Sequence, residues 1–246
     1  MLREDCEMSD KESVVYGLRA VTALAQHRPG DLRRVLFSKA VRNHIGPILK
    51  TTAKQRKPYR EVEKDDLDRV SGTPHHEGIV AIAKPLSTRP FGTMKETLMS
   101  SRCIIAADAI TNPHNTGAIL RSMAWFGAAA MLTESARMTV NPAALRVAQG
   151  GAEHVPIVRC SNLARALSEL AEGGVVTVAA DQNAKGKLAQ IRGLERVCIV
   201  LGNENQGLSS AVKRACKQQI KISGAGQVES LNVSVAAGIM LSTIFA

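Results

Sequence analysis

The chain has 246 residues, 45% of them apolar and 3% aromatic, enough for two domains or one large α/β domain packed by aliphatic side chains. No apolar run approaches the roughly 18 residues a membrane span needs, and the start, Met1-Leu2-Arg3-Glu4-Asp5-Cys6, lacks a signal-peptide core. Five cysteines at 6, 103, 160, 198 and 216 form no CxxC pair, which speaks against a disulfide frame or a zinc site and predicts reduced thiols in a cytoplasmic setting. The formal net charge of +10 is carried entirely by residues 13–60, where eleven Lys/Arg face one acid, Asp31. Such segregation predicts a polyanionic partner, because clustered cations release counterions from phosphates; the bland alternative is a well-solvated basic face.

In chain order, the apolar positions Val14, Val15, Leu18, Val21 and Leu24 have helical spacing and predict a helix over 14–26. Residues 33–37 read as a short strand and 41–51 as a second helix, with Gly46-Pro47 delaying or kinking it. A short helix over 65–70 and a strand over 78–83 follow, separated by the polar turn at 71–76. This first domain is expected to span 1–84. Pro85, Ser87, Thr88, Pro90 and Gly92 mark 85–99 as a linker to a second domain over 100–246.

That second domain alternates strand and helix. Strands are predicted at 103–107, 129–132, 155–158, 175–180, 197–201 and 219–222. Helices fit over 116–126, closed by Gly127; 142–149, with Asn141 as cap and Pro142 in the first turn; 162–171, capped by Ser161 and closed by Gly173-Gly174; 209–216; and 233–245. Apolar strands alternating with helices predict a mostly parallel sheet covered on both faces.

In such a sheet ligands gather at the carboxyl ends of strands, and three polar loops sit there: Asn112 to Gly117, Gly202 to Gly207, and Ser230 to Ser234. The nearest approach to a dinucleotide fingerprint, Gly224-Ala225-Gly226-Gln227-Val228-Glu229, fails at its last position. There is no phosphate-loop GxxxxGK[ST] and no GxSxG. Arg121 lies among Ile119, Leu120, Met123 and Trp125, where a cation needs a phosphate or carboxylate partner; Glu204 or Asp108 are the alternatives to a ligand. Glu204 has a plain reading as a helix-start carboxylate, and Asn115 and Asn232 as N-caps. Ser230 is equally open. His75 and His76 read as solvated turn residues.

Taken together the three loops resemble the motifs of the SpoU/TrmH family of S-adenosylmethionine-dependent RNA 2′-O-ribose methyltransferases. Asn112-Pro113-His114-Asn115-Thr116-Gly117-Ala118-Ile119-Leu120-Arg121 is similar to the first, NxxNxGxxxR; Leu201 to Ser209 to the second; and Ile222 to Leu241, centred on Ser230-Leu231-Asn232-Val233-Ser234, to the third. Residues 13–84, with Tyr16-Gly17 near the start and His76-Glu77-Gly78-Ile79 near the end, resemble the L30e-like RNA-binding domain of many members. The resemblance implies a C-terminal trefoil knot, an exception to the rule against knots, and a homodimer. It places catalytic positions at Asn115, Arg121, Glu204, Ser230 and Asn232. Contacts to S-adenosylmethionine are implied at Ala180 and Asp181, at Gly202, Asn203 and Gly207, and at Ile222 and Leu231, with no metal. The implied substrate is structured RNA, rRNA ahead of tRNA, held through the basic 13–60 segment; the rival is a non-catalytic RNA-binding protein with the same fold. One departure stands out: after Ile222 many members carry Pro-Met, whereas this chain has Ser223-Gly224.

Overall fold

The computed structural model describes residues 12–134 and 140–246, which divide into two compact units at Leu86/Ser87. Cys6 lies outside the described residues.

The first unit runs β1 (Ser13–Tyr16), α1 (Leu18–His27), β2 (Leu32–Phe37), α2 (Gly46–Lys54), β3 (Tyr59–Glu61), α3 (Lys64–Ser71) and β4 (Ile79–Ala83). Its sheet has the order β1-β4-β2-β3, with β4 antiparallel to β1 and β2, and β3 parallel to β2. All five residues of β4 are buried, as its central place requires. The helix expected over 14–26 starts only at Leu18, because Val14, Val15 and Tyr16 pair with Ile82, Ala81 and Val80. Their helical spacing is coincidental, and a strand partner outweighs it. The kink at Gly46-Pro47 separates a 3₁₀ turn, Lys39–His44, from α2. Strand β3, three exposed residues, gave no periodic signal.

The two ends of this unit's motif meet in space. The Leu18 N–H donates to Glu77 Oε2 at 3.0 Å, and the Gly17 N–H to the Ile79 carbonyl at 3.3 Å. His76 is not a solvated turn residue. It is buried, accepts the Gly78 N–H on Nδ1 at 3.0 Å, and so turns a protonated Nε2 toward Asp68 Oδ1 at 2.9 Å.

The second unit begins inside the expected linker. Residues 88–90 form β5 (Thr88–Pro90) and are followed by α4 (Phe91–Ser100). β5 pairs with a strand some seventy residues downstream, a contact that composition cannot register. The chain continues through β6 (Cys103–Ala107), α5 (Pro113–Phe126), β7 (Met131–Thr133), α6 (Pro142–Ala148), β8 (Ile157–Arg159), α7 (Leu163–Glu172) and β9 (Val176–Ala180). It ends with β10 (Gly186–Lys187), β11 (Val197–Leu201), α8 (Ser210–Ala215), β12 (Gln218–Lys221) and α9 (Val233–Phe245). The eight strands have the order β10-β12-β9-β11-β6-β7-β8-β5, every pairing parallel. β6 and β11, side by side at the centre, are buried along their whole length. α7 is capped by Asn162, whose side chain accepts the Arg165 N–H at 2.8 Å, rather than by the expected Ser161.

One face of this sheet packs under Leu98 of α4, Leu163, Leu167 and Leu170 of α7, and Val212 of α8. On α5, the glycine of the first motif has a packing reason: a Cβ at Gly117 would sit 2.5 Å from the Ala144 carbonyl oxygen and 2.8 Å from Val147 Cβ, so α6 crosses where only glycine fits. α9 is anchored by Arg102, which donates to the Ile244 carbonyl at 2.7 Å and lies 4.9 Å over the Phe245 ring.

Candidate active site

Because the strands are parallel, the loops after β6, β11, β9 and β12 leave the same edge of the sheet, and the order β12-β9-β11-β6 makes them neighbours. Each of the three polar motifs follows one of these strands.

The loop after β11 is tied down locally. Asn203 and Gly207 exchange backbone hydrogen bonds at 3.0 and 2.9 Å, and Asn203 Oδ1 accepts the N–H groups of Asn205 and Gln206 at 2.9 and 3.1 Å. A Cβ on Gly202 would fall 2.4 Å from the Gly207 carbonyl carbon and 2.5 Å from the Leu208 nitrogen, so the turn closes only on glycine. Two bonds fasten this loop to the one after β6: Asn203 Nδ2 donates to the Ala109 carbonyl at 2.8 Å, and the Ser209 N–H to Asp108 Oδ2 at 2.7 Å. Asp108 is therefore a loop tie and not an ion-pair partner of Arg121.

Three of the five expected catalytic positions form one hydrogen-bonded chain. Asn232 Nδ2 donates to Asn115 Oδ1 at 2.9 Å, and Asn115 Nδ2 donates to Glu204 Oε1 at 2.9 Å. The directions are forced. A carboxylate only accepts, so Asn115 must present its amide nitrogen to Glu204 and its oxygen to Asn232. Asn232 then presents nitrogen, and its own oxygen caps α9 by accepting the Ser234 N–H at 2.9 Å and the Ser234 hydroxyl at 2.6 Å. The N-cap reading of Asn232 is thus correct and incomplete. For Asn115 it is wrong: the cap of α5 is Asn112, which accepts the His114 N–H at 2.9 Å while its own N–H reaches Glu204 Oε1 at 3.4 Å.

Arg121 and Ser230 stand outside this chain. Both are exposed, and neither side chain makes a hydrogen bond or ion pair among the described residues. Six residues beyond Asn115, Arg121 is about 9 Å along the α5 axis and about 120° around it. It shares an exposed stripe with His114 and Trp125, so its guanidinium is open to a ligand instead of being spent on Glu204.

The remaining loops leave the same edge of the sheet. Ala180 ends β9 in register with Ile220, and the Asp181 N–H donates to the Ile220 carbonyl at 2.9 Å. The Asp181 side chain is ion-paired with Lys213 of α8, a residue that no sequence signal singled out. Burial acts to raise the Asp181 carboxyl, but Lys213 and the Asn183 N–H outweigh it and hold it below the usual carboxylate range. From Ile222 to Leu231 the chain is open. Residues 223–231 make no backbone–backbone hydrogen bond among the described residues, and Val228 and Leu231 are 71% and 47% exposed. Unclaimed amide donors and acceptors beside bare aliphatic side chains suit a nucleoside, whose base needs both an edge and a face satisfied.

Other chemistries find no support among the described residues. No group of three His, Cys, Asp or Glu is placed to hold a metal. Burial pushes the Cys103 and Cys216 thiols up to about 12, which removes a thiolate nucleophile near these strands. Among the described residues no helix is long and apolar enough to cross a membrane.

Comparison with known proteins agrees with this geometry. Residues 102–242 match the model of the SpoU rRNA Methylase family, and residues 14–89 match that of the RNA 2′-O ribose methyltransferase substrate binding domain. The chain is 32% identical over 240 residues to the 23S rRNA (guanosine-2′-O-)-methyltransferase RlmB of Pseudomonas putida, covering 95% of this chain and 96% of that one. It is 32% identical over 231 residues to the uncharacterized tRNA/rRNA methyltransferase YfiF of Escherichia coli O157:H7, covering 94% of this chain and 67% of that one. It spans 61% of the length of a similar relative from Mycobacterium ulcerans. Among solved structures, an RNA 2′-O ribose methyltransferase superposes with a TM-score of 0.77 at 25% identity, over 96% of this chain and 88% of that one. An AdoMet-bound rRNA methyltransferase from Sinorhizobium meliloti shares the fold, with a TM-score of 0.76 at 20% identity over 95% and 86%. Motif loops meeting at one sheet edge, and a family match running through all of them, have one common explanation: this chain belongs to the SpoU rRNA Methylase family.

Proposed function

We propose that this protein transfers a methyl group from S-adenosylmethionine to a ribose 2′-hydroxyl of structured RNA, with rRNA as the substrate class. The observation that carries the reading is the Asn232–Asn115–Glu204 relay, which spends three polar side chains on joining three distant loops. The near full-length relative named as acting on 23S rRNA supports rRNA over tRNA.

S-adenosylmethionine supplies an electrophilic methyl group when bound. The residues that would hold it are Ala180 and Asp181, the Gly202–Gly207 turn with Asn203, and the open stretch of Ile222 and Leu231. The ribose oxygen forms its new bond to carbon as the carbon–sulfur bond breaks, and its proton passes to water. A 2′-hydroxyl is a poor nucleophile, so charge developing on its oxygen must be stabilised at the moment of attack. Arg121 does this as a fixed cation: a guanidinium keeps its proton in proteins and is a donor, not a base. Contact with the adjoining phosphate would bring it to the ribose. Asn115, Glu204 and Asn232 position the loops, and Ser230 orients the entry to α9. The 2′-hydroxyl also separates RNA from DNA.

The knot that the family resemblance implies is supported by the strand order. β12 lies between β9 and β10 in the sheet, although β10 and β11 come between β9 and β12 in the chain. A homodimer is supported by Trp125 of α5 and Val235 of α9, 83% and 50% exposed on two helices packed against each other. Sedimentation equilibrium should give twice the chain mass; a monomer at micromolar concentration would remove that part of the reading. The free thiols Cys103, Cys160, Cys198 and Cys216 support a cytoplasmic location, which cell fractionation checks.

The deciding experiment is methyl transfer from labelled S-adenosylmethionine to bulk rRNA and tRNA by wild type and Arg121→Ala. We expect label in rRNA, mapped to a 2′-O-methylated nucleotide, and a loss on the order of 100-fold or more in the variant. Absence of both transfer and cofactor binding would leave a non-catalytic RNA-binding protein.

A further inference from the structure

Two of the loops implied to hold the cofactor are joined by a residue that neither of them contains. After β9 the chain folds round Asp181. Its N–H donates to the Ile220 carbonyl at 2.9 Å, its carbonyl accepts the Ala184 N–H at 3.0 Å, and its Oδ1 accepts the Asn183 N–H at 2.9 Å. The second carboxylate oxygen, Oδ2, is closed off from solvent, and the side chain as a whole is 10% exposed. A carboxylate buried to that degree needs a cation. The cation comes from outside the loop: it is Lys213, on α8. α8 grows directly out of the Gly202–Ser209 turn, the Lys213 N–H donating to the Ser209 carbonyl at 2.9 Å while the Ser209 N–H is held by Asp108 at 2.7 Å. The ion pair therefore ties the loop after β9 to the loop after β11, the strand beside it.

Two plainer roles leave this pairing unexplained. One is to fasten α8 to the sheet. Val212, buried in the core, already does that, as does Thr177 of β9, whose hydroxyl accepts the Lys217 N–H at 3.0 Å just beyond the helix. The other is to set positive charge at the C-terminal end of α8. Arg214 is placed for that purpose, and its exposed side chain makes no hydrogen bond or ion pair among the described residues. Lys213 is turned to Asp181 instead.

We propose that Lys213 is a positioning residue for S-adenosylmethionine: through Asp181 it holds residues 181–184 in the shape that presents the backbone of Ala180 and Asp181 to the cofactor. The role rests on the reading of this sheet edge as the cofactor site. Backbone groups recognise a ligand only through the path of the chain, so whatever fixes that path sets the affinity. An uncharged side chain at 213 leaves the Asp181 carboxylate buried and unpaired. The carboxylate then turns out to water and takes the bonds to Asn183 and Ala184 with it. In this role Lys213 touches neither cofactor nor RNA, so its loss weakens cofactor binding and leaves the chemical step intact.

The test uses the full chain. Calorimetry reads the affinity for S-adenosylmethionine, and steady-state methyl transfer to bulk rRNA gives kcat and a KM for each substrate. Lys213→Met keeps the apolar stem and removes the charge; Arg214→Met is the control that removes the neighbouring charge. We expect Lys213→Met to bind S-adenosylmethionine about tenfold more weakly, roughly 1.4 kcal/mol, with kcat at saturating cofactor and the RNA KM within about twofold of wild type. Lys213→Arg keeps a cation and should stay within about threefold of wild type. Asp181→Asn added to Lys213→Met should recover about threefold, because no unpaired charge is then left buried. Unchanged cofactor affinity in Lys213→Met, an equal loss in Arg214→Met, or a double variant no better than Lys213→Met would each overturn the role. So would parallel losses in kcat, RNA KM and melting temperature, which mark a residue that merely holds the fold. Wild type that binds S-adenosylmethionine beside a Lys213→Met variant that binds it equally well sinks the positioning role alone; wild type that binds none sinks the reading of the site beneath it.

Discussion

Two loops at the same sheet edge are built on opposite plans. The turn from Gly202 to Ser209 is fastened by paired backbone bonds between Asn203 and Gly207, by both ends of the Asn203 side chain, and by Asp108. The stretch from 223 to 231 has no backbone–backbone bond among the described residues and leaves Val228 and Leu231 bare. The first is arranged before any ligand arrives; the second keeps its donors, acceptors and aliphatic surface for one. A site that must align reacting atoms gains from the rigid loop, since misplacement of about 1 Å costs on the order of 100-fold in rate. A site that must also admit and release a cofactor needs one wall that can be reordered. Ordering that wall costs binding free energy, which makes it the place where affinity can be tuned.

The sharpest way to break this comparison is Gly202→Ala. The new methyl would meet backbone atoms of Gly207 and Leu208 at 2.4–2.5 Å, so the turn itself must open. We expect a stability loss of about 1–3 kcal/mol, several degrees of melting temperature, and methyl transfer reduced on the order of 100-fold. A variant with wild-type rate and melting temperature would show that the turn is not preset.

Next in size is Asn115→Ala, which leaves Glu204 and Asn232 facing an empty site. Unmaking these bonds should cost about 1–3 kcal/mol in thermal or urea unfolding. Asn115→Asp separates the relay from simple packing, because it sets a second carboxylate against Glu204 at 2.9 Å and should cost more than Ala despite its matching shape. If Asp is tolerated better than Ala, the relay does not exist in solution.

The smallest effect is expected on the open loop. Gly224 has no positive φ and an added Cβ meets nothing within 4 Å, so Gly224→Ala should fit. Stiffening the unliganded loop by about 0.4–1 kcal/mol should tighten S-adenosylmethionine binding two- to fivefold in calorimetry, with the melting temperature nearly unchanged. Weaker binding would mean that the bound loop adopts a backbone conformation that requires glycine.

How far the site could be read from the chain differs between these loops for a physical reason. Gly202, Asn203 and Gly207 are close in sequence, and the bonds that shape their turn are made within it, so the motif carries its own geometry. The relay is the reverse case. Asn115 and Glu204 are 89 residues apart, and Asn115 and Asn232 are 117 apart. Read alone, each asparagine has a plausible local role as a helix cap, and only one of the two fills it.

The sequence by itself determined the central strands β6 and β11, the helix ends punctuated by Gly127 and Asn141, the basic bias of 13–60 and the three motif loops. Each of these rests on short-range signals: apolar runs, capping side chains, composition. Tertiary structure alone decided the rest. It made strands of Thr88–Pro90 and Tyr59–Glu61, which lack any pattern of their own and exist through their partners. It joined Asn232, Asn115 and Glu204 by setting β11 next to β6 and running α9 back to α5. It also decided which arginines are neutralised and which stay open, because an ion pair depends on what the fold brings within about 4 Å and not on how many charges a segment contains.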